Sequence, residues 1–102
     1  MNLKQIVTGF REGILDGGTS KFMCIAVCAP LESYLRVAHG IETHAVGGTV
    51  DLGDYNMEHF WLETDDGTVI DPTADQFDEL SLPPVYIGPR PTAYLVEAQK
   101  EK

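Results

Sequence analysis

The hydrophobic period of the chain changes once, near residue 41, and that change restricts the fold more than any other feature of the sequence. Before it, Leu3, Ile6, Val7, Phe10 and Ile14 recur at three- and four-residue spacing, which is one apolar face of a helix expected over residues 2–15. Asp16-Gly17-Gly18 ends that helix. Thr19 and Ser20 then offer capping oxygens to a second helix, whose stripe runs through Cys24, Val27, Cys28, Leu31, Tyr34, Leu35 and Ala38 to a stop at Gly40. After residue 41 the period is two, with strands expected at 43–50, 58–64, 68–71, 85–87 and 93–96, separated by Gly-, Asp- and Pro-rich turns. Helices first and an antiparallel sheet second make an α+β fold of two packed layers.

Two positions leave local alternatives open. Pro30 lies inside the second helical pattern, where it removes a backbone hydrogen bond at a cost of about 3 kcal/mol. Either the helix kinks or breaks there, or it begins at Pro30 with Cys24 on a short turn just before it. Both versions put Cys24 near a helix N-terminus. Gly47-Gly48 inside the first strand marks a bulge or a close backbone approach.

A chain of 102 residues holds one domain, taken as 1–97, with the polar residues 98–102 expected to fray. A net charge of −9 repels phosphate backbones and anionic bilayers, so neither nucleic acid nor a membrane is an expected partner. Arg11 and Glu12 interrupt the N-terminal segment where a signal peptide needs an apolar stretch, and a cytoplasmic protein is expected. Cys24 and Cys28, four apart on one helix face, do not reach disulfide geometry without backbone distortion, so both are expected as free thiols.

A free thiol becomes a nucleophile when a helix N-terminus and an imidazole favour its thiolate. Cys24 has the first by position, and His59, opening the strand His-Phe-Trp-Leu-Glu, is the candidate for the second. Asp71 is the candidate to orient the imidazole, provided that the hairpin register allows it. A two-residue Asp66-Gly67 turn would set Asp71 opposite Leu62, facing away from His59. A three-residue Asp65-Asp66-Gly67 turn, with Gly67 left-handed, sets Trp61 opposite Asp71 and makes His59 and Asp71 diagonal neighbours on one face, roughly 7–8 Å apart at the backbone.

These residues also carry a resemblance. Cys24, then Arg36, Gly40-Ile41, His59-Phe60-Trp61-Leu62-Glu63 and Asp71-Pro72-Thr73 resemble, over residues 20–77, the transglutaminase-like core of the papain-like cysteine enzymes. The resemblance implies a papain/transglutaminase-like fold with the cysteine at a helix N-terminus. It further implies a catalytic triad of Cys24, His59 and Asp71, a thioester intermediate, and no cofactor or metal. The expected activity is acyl transfer from an amide or peptide bond of a protein, peptide or small-amide substrate, by hydrolysis or to an amine. Cys28 and Pro30 depart from the family's pattern, and the chain lacks the insertions that usually build a substrate cleft.

Other residues lie near these three in the pattern. Cys28, one turn along the stripe, reads as core or pocket lining, and Trp61 as packing beside the cleft or a substrate contact. Asp75 competes with Asp71 to orient His59, and Glu63 is solvated or paired with a base such as Arg36. His39 suits a helix end, while His44 reads as surface or a substrate contact. A zinc site on the two cysteines and a histidine lacks a second tightly spaced ligand pair. The backbone N–H of Cys24 is the one oxyanion donor the sequence names. A non-catalytic docking or regulatory module on the same fold is the rival function.

Overall fold

The computed structural model describes residues 2–19 and 23–96. The polar tail expected at 98–102 lies outside them. Helix α1, Leu3–Leu15, starts on a reciprocal cap in which the Asn2 side chain accepts from the Gln5 N–H and the Gln5 side chain accepts from the Asn2 N–H. It ends at Asp16, whose φ of 48° stops the helix in a left-handed cap. Its inner face buries Ile6, Val7 and Arg11, and Phe10 stacks on Tyr34 with ring centres 5.0 Å apart.

Helix α2, Cys24–His39, differs from expectation at its start and at its middle. The residue at the cap is Met23, which makes no side-chain capping bond. Thr19 is therefore too early in the chain to serve, and Ser20 lies outside the described residues. The helix also runs through Pro30 without interruption. Ala26, four residues earlier, is exposed as Pro30 is, so water can satisfy the carbonyl that loses its N–H partner. Gly40 closes the helix in a left-handed cap, its N–H returning to the carbonyls of Arg36 and Leu35.

Five antiparallel strands follow: β1, His44–Asp51; β2, Asn56–Glu63; β3, Val69–Asp71; β4, Tyr86–Gly88; and β5, Tyr94–Val96, arranged in the order β4-β3-β2-β1-β5. The two helices cover one face, where Leu62 and Ile70 meet Ile6, Val7, Cys28, Leu31 and Leu35. Trp61, one residue from Leu62, points the other way, into a second cluster with Val46, Val50, Val69, Phe77 and Tyr94. Two short 3-10 turns, Ala74–Gln76 and Asp78–Leu80, carry the chain from β3 toward β4 and supply Phe77 to that second cluster.

The β1–β2 ladder keeps one register from His44 opposite Glu63 to Asp51 opposite Asn56, so Gly47-Gly48 forms no bulge. The pair instead permits close approach. A Cβ on Gly47 would stand 2.9 Å from the Phe60 ring, and one on Gly48 would stand 2.9 Å from Trp61 and 3.0 Å from the Leu95 carbonyl carbon.

The β2–β3 turn decides the face of Asp71. Gly67 has a φ of 89°, its N–H donates to the Thr64 carbonyl at 3.0 Å, and the Thr64 N–H donates to the Thr68 carbonyl at 3.0 Å. The loop is thus Asp65-Asp66-Gly67, and Leu62 stands opposite Ile70. By the same count Trp61 is opposite Asp71, on the face that His59 shares.

Candidate active site

The end of the β2–β3 ladder is where α2 meets the sheet. Because Thr64 bonds toward β3, alternate residues Leu62 and Phe60 also turn their backbone N–H and C=O to that side. The residue opposite Phe60 is Pro72, which has no N–H to give, and pairing stops. The two cysteines of α2 take the vacated places. Cys28 donates its thiol proton to the Phe60 carbonyl at 3.6 Å, and the Phe60 N–H is hydrogen-bonded to the Cys24 sulfur. Both backbone groups of Phe60, left unpaired where the β2–β3 ladder ends, are thereby satisfied by the thiols, one as donor and one as acceptor.

Cys24 is the first residue of α2 and is partly exposed. Its sulfur is hydrogen-bonded to the His59 ring and receives the backbone N–H of Phe60 and of its helical neighbour Ile25. Burial pushes the thiol up, but the bond to His59, those N–H donors and the imidazole charge outweigh it, so Cys24 is held below the ordinary thiol range.

His59 is fully buried. Its Nε2 is 2.7 Å from Asp71 Oδ2, and the Gln76 amide nitrogen is 3.4 Å from its Nδ1. Asp71 is fully buried too, and every partner it has is a donor: Thr73 N–H at 3.0 Å on Oδ1, and the Tyr94 hydroxyl at 2.6 Å on Oδ2 beside His59. Asp71 is therefore an acceptor throughout, which assigns the proton to Nε2 and leaves Nδ1 to exchange a proton with Cys24. Burial alone would lower the histidine. Hydrogen bonds to Asp71 and Cys24, and then their charges, overcome it and raise His59 to about 9. The opposite shifts of the two groups lean the shared proton toward a thiolate–imidazolium pair.

The ring is enclosed by aromatic edges: Phe77 at 4.8 Å, Tyr94 at 5.6 Å and Trp61 at 5.8 Å between centroids. The partly exposed Cys24 borders this enclosure, so a group that receives the histidine proton approaches past its sulfur.

Cys24, His59 and Asp71 are brought together in hydrogen-bonding series. The remaining candidates go elsewhere. The carboxylate on His59 Nε2 is that of Asp71, at 2.7 Å, while Asp75 pairs with Arg11 at 2.9 Å and ties the 3-10 turn to α1. Trp61 is fully buried and donates its indole N–H to Glu63 at 2.8 Å, which makes it a packing residue and not a substrate contact. Glu63 pairs with Arg90 through two bonds of 3.0 and 3.1 Å, not with Arg36, because Arg36 is on the helix side of the sheet and Glu63 on the other. Cys28 is buried, and burial with the nearby charge of Asp71 pushes its thiol well above the ordinary range. His39 lies in the last turn of α2 against Tyr34, and His44 is exposed at the start of β1. Among the described residues no group of three or more His, Cys, Asp or Glu side chains has the arrangement of a metal site, and no helix is long and apolar enough to cross a membrane.

The sequence reading missed Tyr94, Gln76 and Thr73. Thr73 had a signal, since a residue two positions after an aspartate commonly donates its N–H to that side chain. Tyr94 had none, because β5 pairs with β1, two strands from Asp71. Comparisons of the chain with protein-family models, with curated proteins and with solved structures found no match, so the reading of the site stands on its geometry.

Proposed function

We propose that this protein is a cysteine-dependent acyl-transfer enzyme of papain/transglutaminase-like fold, acting on an amide or peptide bond through a thioester on Cys24. The observation that carries the proposal is the unbroken hydrogen-bonded series from Cys24 through His59 to Asp71, with the sulfur at a helix N-terminus and the other two side chains buried. A docking module on the same fold has no use for that series, and its thiol would be free to titrate as an ordinary cysteine.

In this mechanism the Cys24 thiolate attacks the amide carbonyl carbon, forming a C–S bond and placing the electron pair on oxygen. The backbone N–H of Cys24, at the first position of α2, has no intrahelical acceptor and serves the developing negative charge. His59 gives its Nδ1 proton to the leaving nitrogen as the C–N bond breaks, and Asp71 holds Nε2 throughout. Water, or an amine, then attacks the thioester while His59 takes back a proton. The C–S bond breaks, releasing a carboxylate or a new amide and returning the thiolate.

An activated acyl ester tests the reaction without knowledge of the natural substrate. Intact-mass analysis is expected to find one hydroxylamine-labile acyl group on Cys24, retained in Cys28→Ala and lost in Cys24→Ala, with hydrolysis slowed in His59→Ala. An adduct on Cys28, or none, overturns the proposal.

A further inference from the structure

Asp71 Oδ2 has two donors, and only one belongs to the Cys24–His59 series. The other is the Tyr94 hydroxyl, buried, 2.6 Å away and shorter than the His59 contact of 2.7 Å on the same oxygen. We infer that Tyr94 is a positioning residue for the proposed reaction: its hydroxyl fixes the Asp71 carboxylate and moderates how strongly that carboxylate draws a proton onto His59. The inference rests on the acyl-transfer reading above and adds to it a tuning contact from the far side of the sheet.

Tyr94 stands opposite Val50 on β1, and β2 and β1 both lie between β5 and β3 in the sheet order. Its side chain crosses the sheet face opposite the helices to Asp71, passing the Trp61 ring at 4.9 Å and the His59 ring at 5.6 Å. Gly48, opposite His59, allows the crossing, because any side chain there would collide with Trp61 and with the backbone of β5.

Thr73 N–H holds Oδ1 of the Asp71 carboxylate at 3.0 Å while Tyr94 and His59 hold Oδ2, so the plane of the group is fixed from both ends and Nε2 has one direction in which to donate. A hydroxyl donated to the shared oxygen takes part of its negative charge, weakening the same oxygen as an acceptor for His59. Burial, followed by the charge of Asp71 and the bond to it, pushes the Tyr94 phenol up, which keeps the hydroxyl a donor across the working pH range. The titratable groups around His59 are Asp71 on β3, Cys24 on α2 and Tyr94 on β5, with Cys28 and Tyr86 next beyond them.

Nitrogen-15 NMR of the histidine rings across pH, with His59→Gln to assign the signal, separates the outcomes. In wild type the His59 ring should stay doubly protonated to about 9. In Tyr94→Phe the carboxylate loses its competing donor, and the midpoint should move upward by roughly half a unit to one unit, the size of one hydrogen bond. A 3-fluorotyrosine placed at 94 keeps the shape and donates more strongly, so it should move the midpoint down. If Tyr94→Phe proves too unstable to titrate, the fluorinated chain alone decides the sign. A wild-type midpoint near that of a free histidine refutes the acyl-transfer reading itself. A raised wild-type midpoint that neither variant moves refutes only the role of Tyr94.

Discussion

Replacing Asp71 by Asn exchanges one carboxylate oxygen for an NH2 group and leaves nearly the same volume, so its effect is electronic. The oxygen that remains is claimed by the Thr73 N–H, which donates to Oδ1 at 3.0 Å. The amide NH2 then faces His59 Nε2 and the Tyr94 hydroxyl. A donor opposite Nε2 favours the lone pair there and moves the proton to Nδ1, the wrong tautomer for accepting a proton from Cys24. The magnitude follows from the His59 value of about 9 against an ordinary 6.5, a gap to which Asp71 and Cys24 both contribute. If Asp71 supplied all of it, at pH 7.5 the imidazolium population would fall roughly tenfold, and with it the thiolate it stabilises. Alkylation of Cys24 by iodoacetamide, timed by intact mass from pH 5 to pH 10, measures that loss. Asp71→Asn should react severalfold to about tenfold more slowly than wild type near neutrality and converge with it at high pH, where any thiol ionises. Superimposable profiles would refute the coupling of Asp71 to Cys24 through His59.

Further outcomes follow from the same contacts. Gly48→Ala forces a methyl against Trp61 and the Leu95 backbone, so it should cost about 1–3 kcal/mol and lower the thermal midpoint by roughly 5–20 °C. Gly9→Ala, which meets nothing within 4 Å on helix α1, should instead raise it by virtue of about 0.5–1 kcal/mol of helix propensity. Of the two cysteines, only Cys24 should take iodoacetamide in the folded protein at neutral pH, with Cys28 adding a second adduct in urea, since burial and Asp71 hold the Cys28 thiol protonated. Arg90→Ala strands the buried Glu63 carboxylate with Trp61 as its remaining donor from this cluster. It should cost about 1–3 kcal/mol in urea unfolding, with part recovered by a Glu63→Gln partner substitution.

What the sequence made legible was local. Period-two alternation located the strands, and the Asp65-Asp66-Gly67 turn set the register, because only a glycine takes a φ of 89° without strain and a one-residue slip would have turned Asp71 to the helix face. The apolar stripe of α2 brought Cys24 to the start of a helix, although its cap is Met23 and not the hydroxyl residues that precede it. What stayed hidden depends on how distant segments meet. Arg11 breaks the apolar pattern of the N-terminal segment, yet it is buried in α1 and pairs with Asp75, the rival to Asp71. Glu63 found Arg90 from beyond β4, and Tyr94 reached Asp71 across two strands, contacts set by strand order that no spacing in the chain encodes. Pro30 defied helix propensity because the bond it removes lies on the exposed face.

The central claim is that Cys24 is poised as a thiolate beside the imidazolium of His59. Ultraviolet titration of the thiolate band measures this directly, taking wild type minus Cys24→Ala and repeating the pair in the His59→Ala background. The Cys24 band is expected below the ordinary thiol value of 9.0 in wild type and should move up when His59 is removed. A band that rises at the ordinary value in wild type, unmoved by His59→Ala, would contradict it.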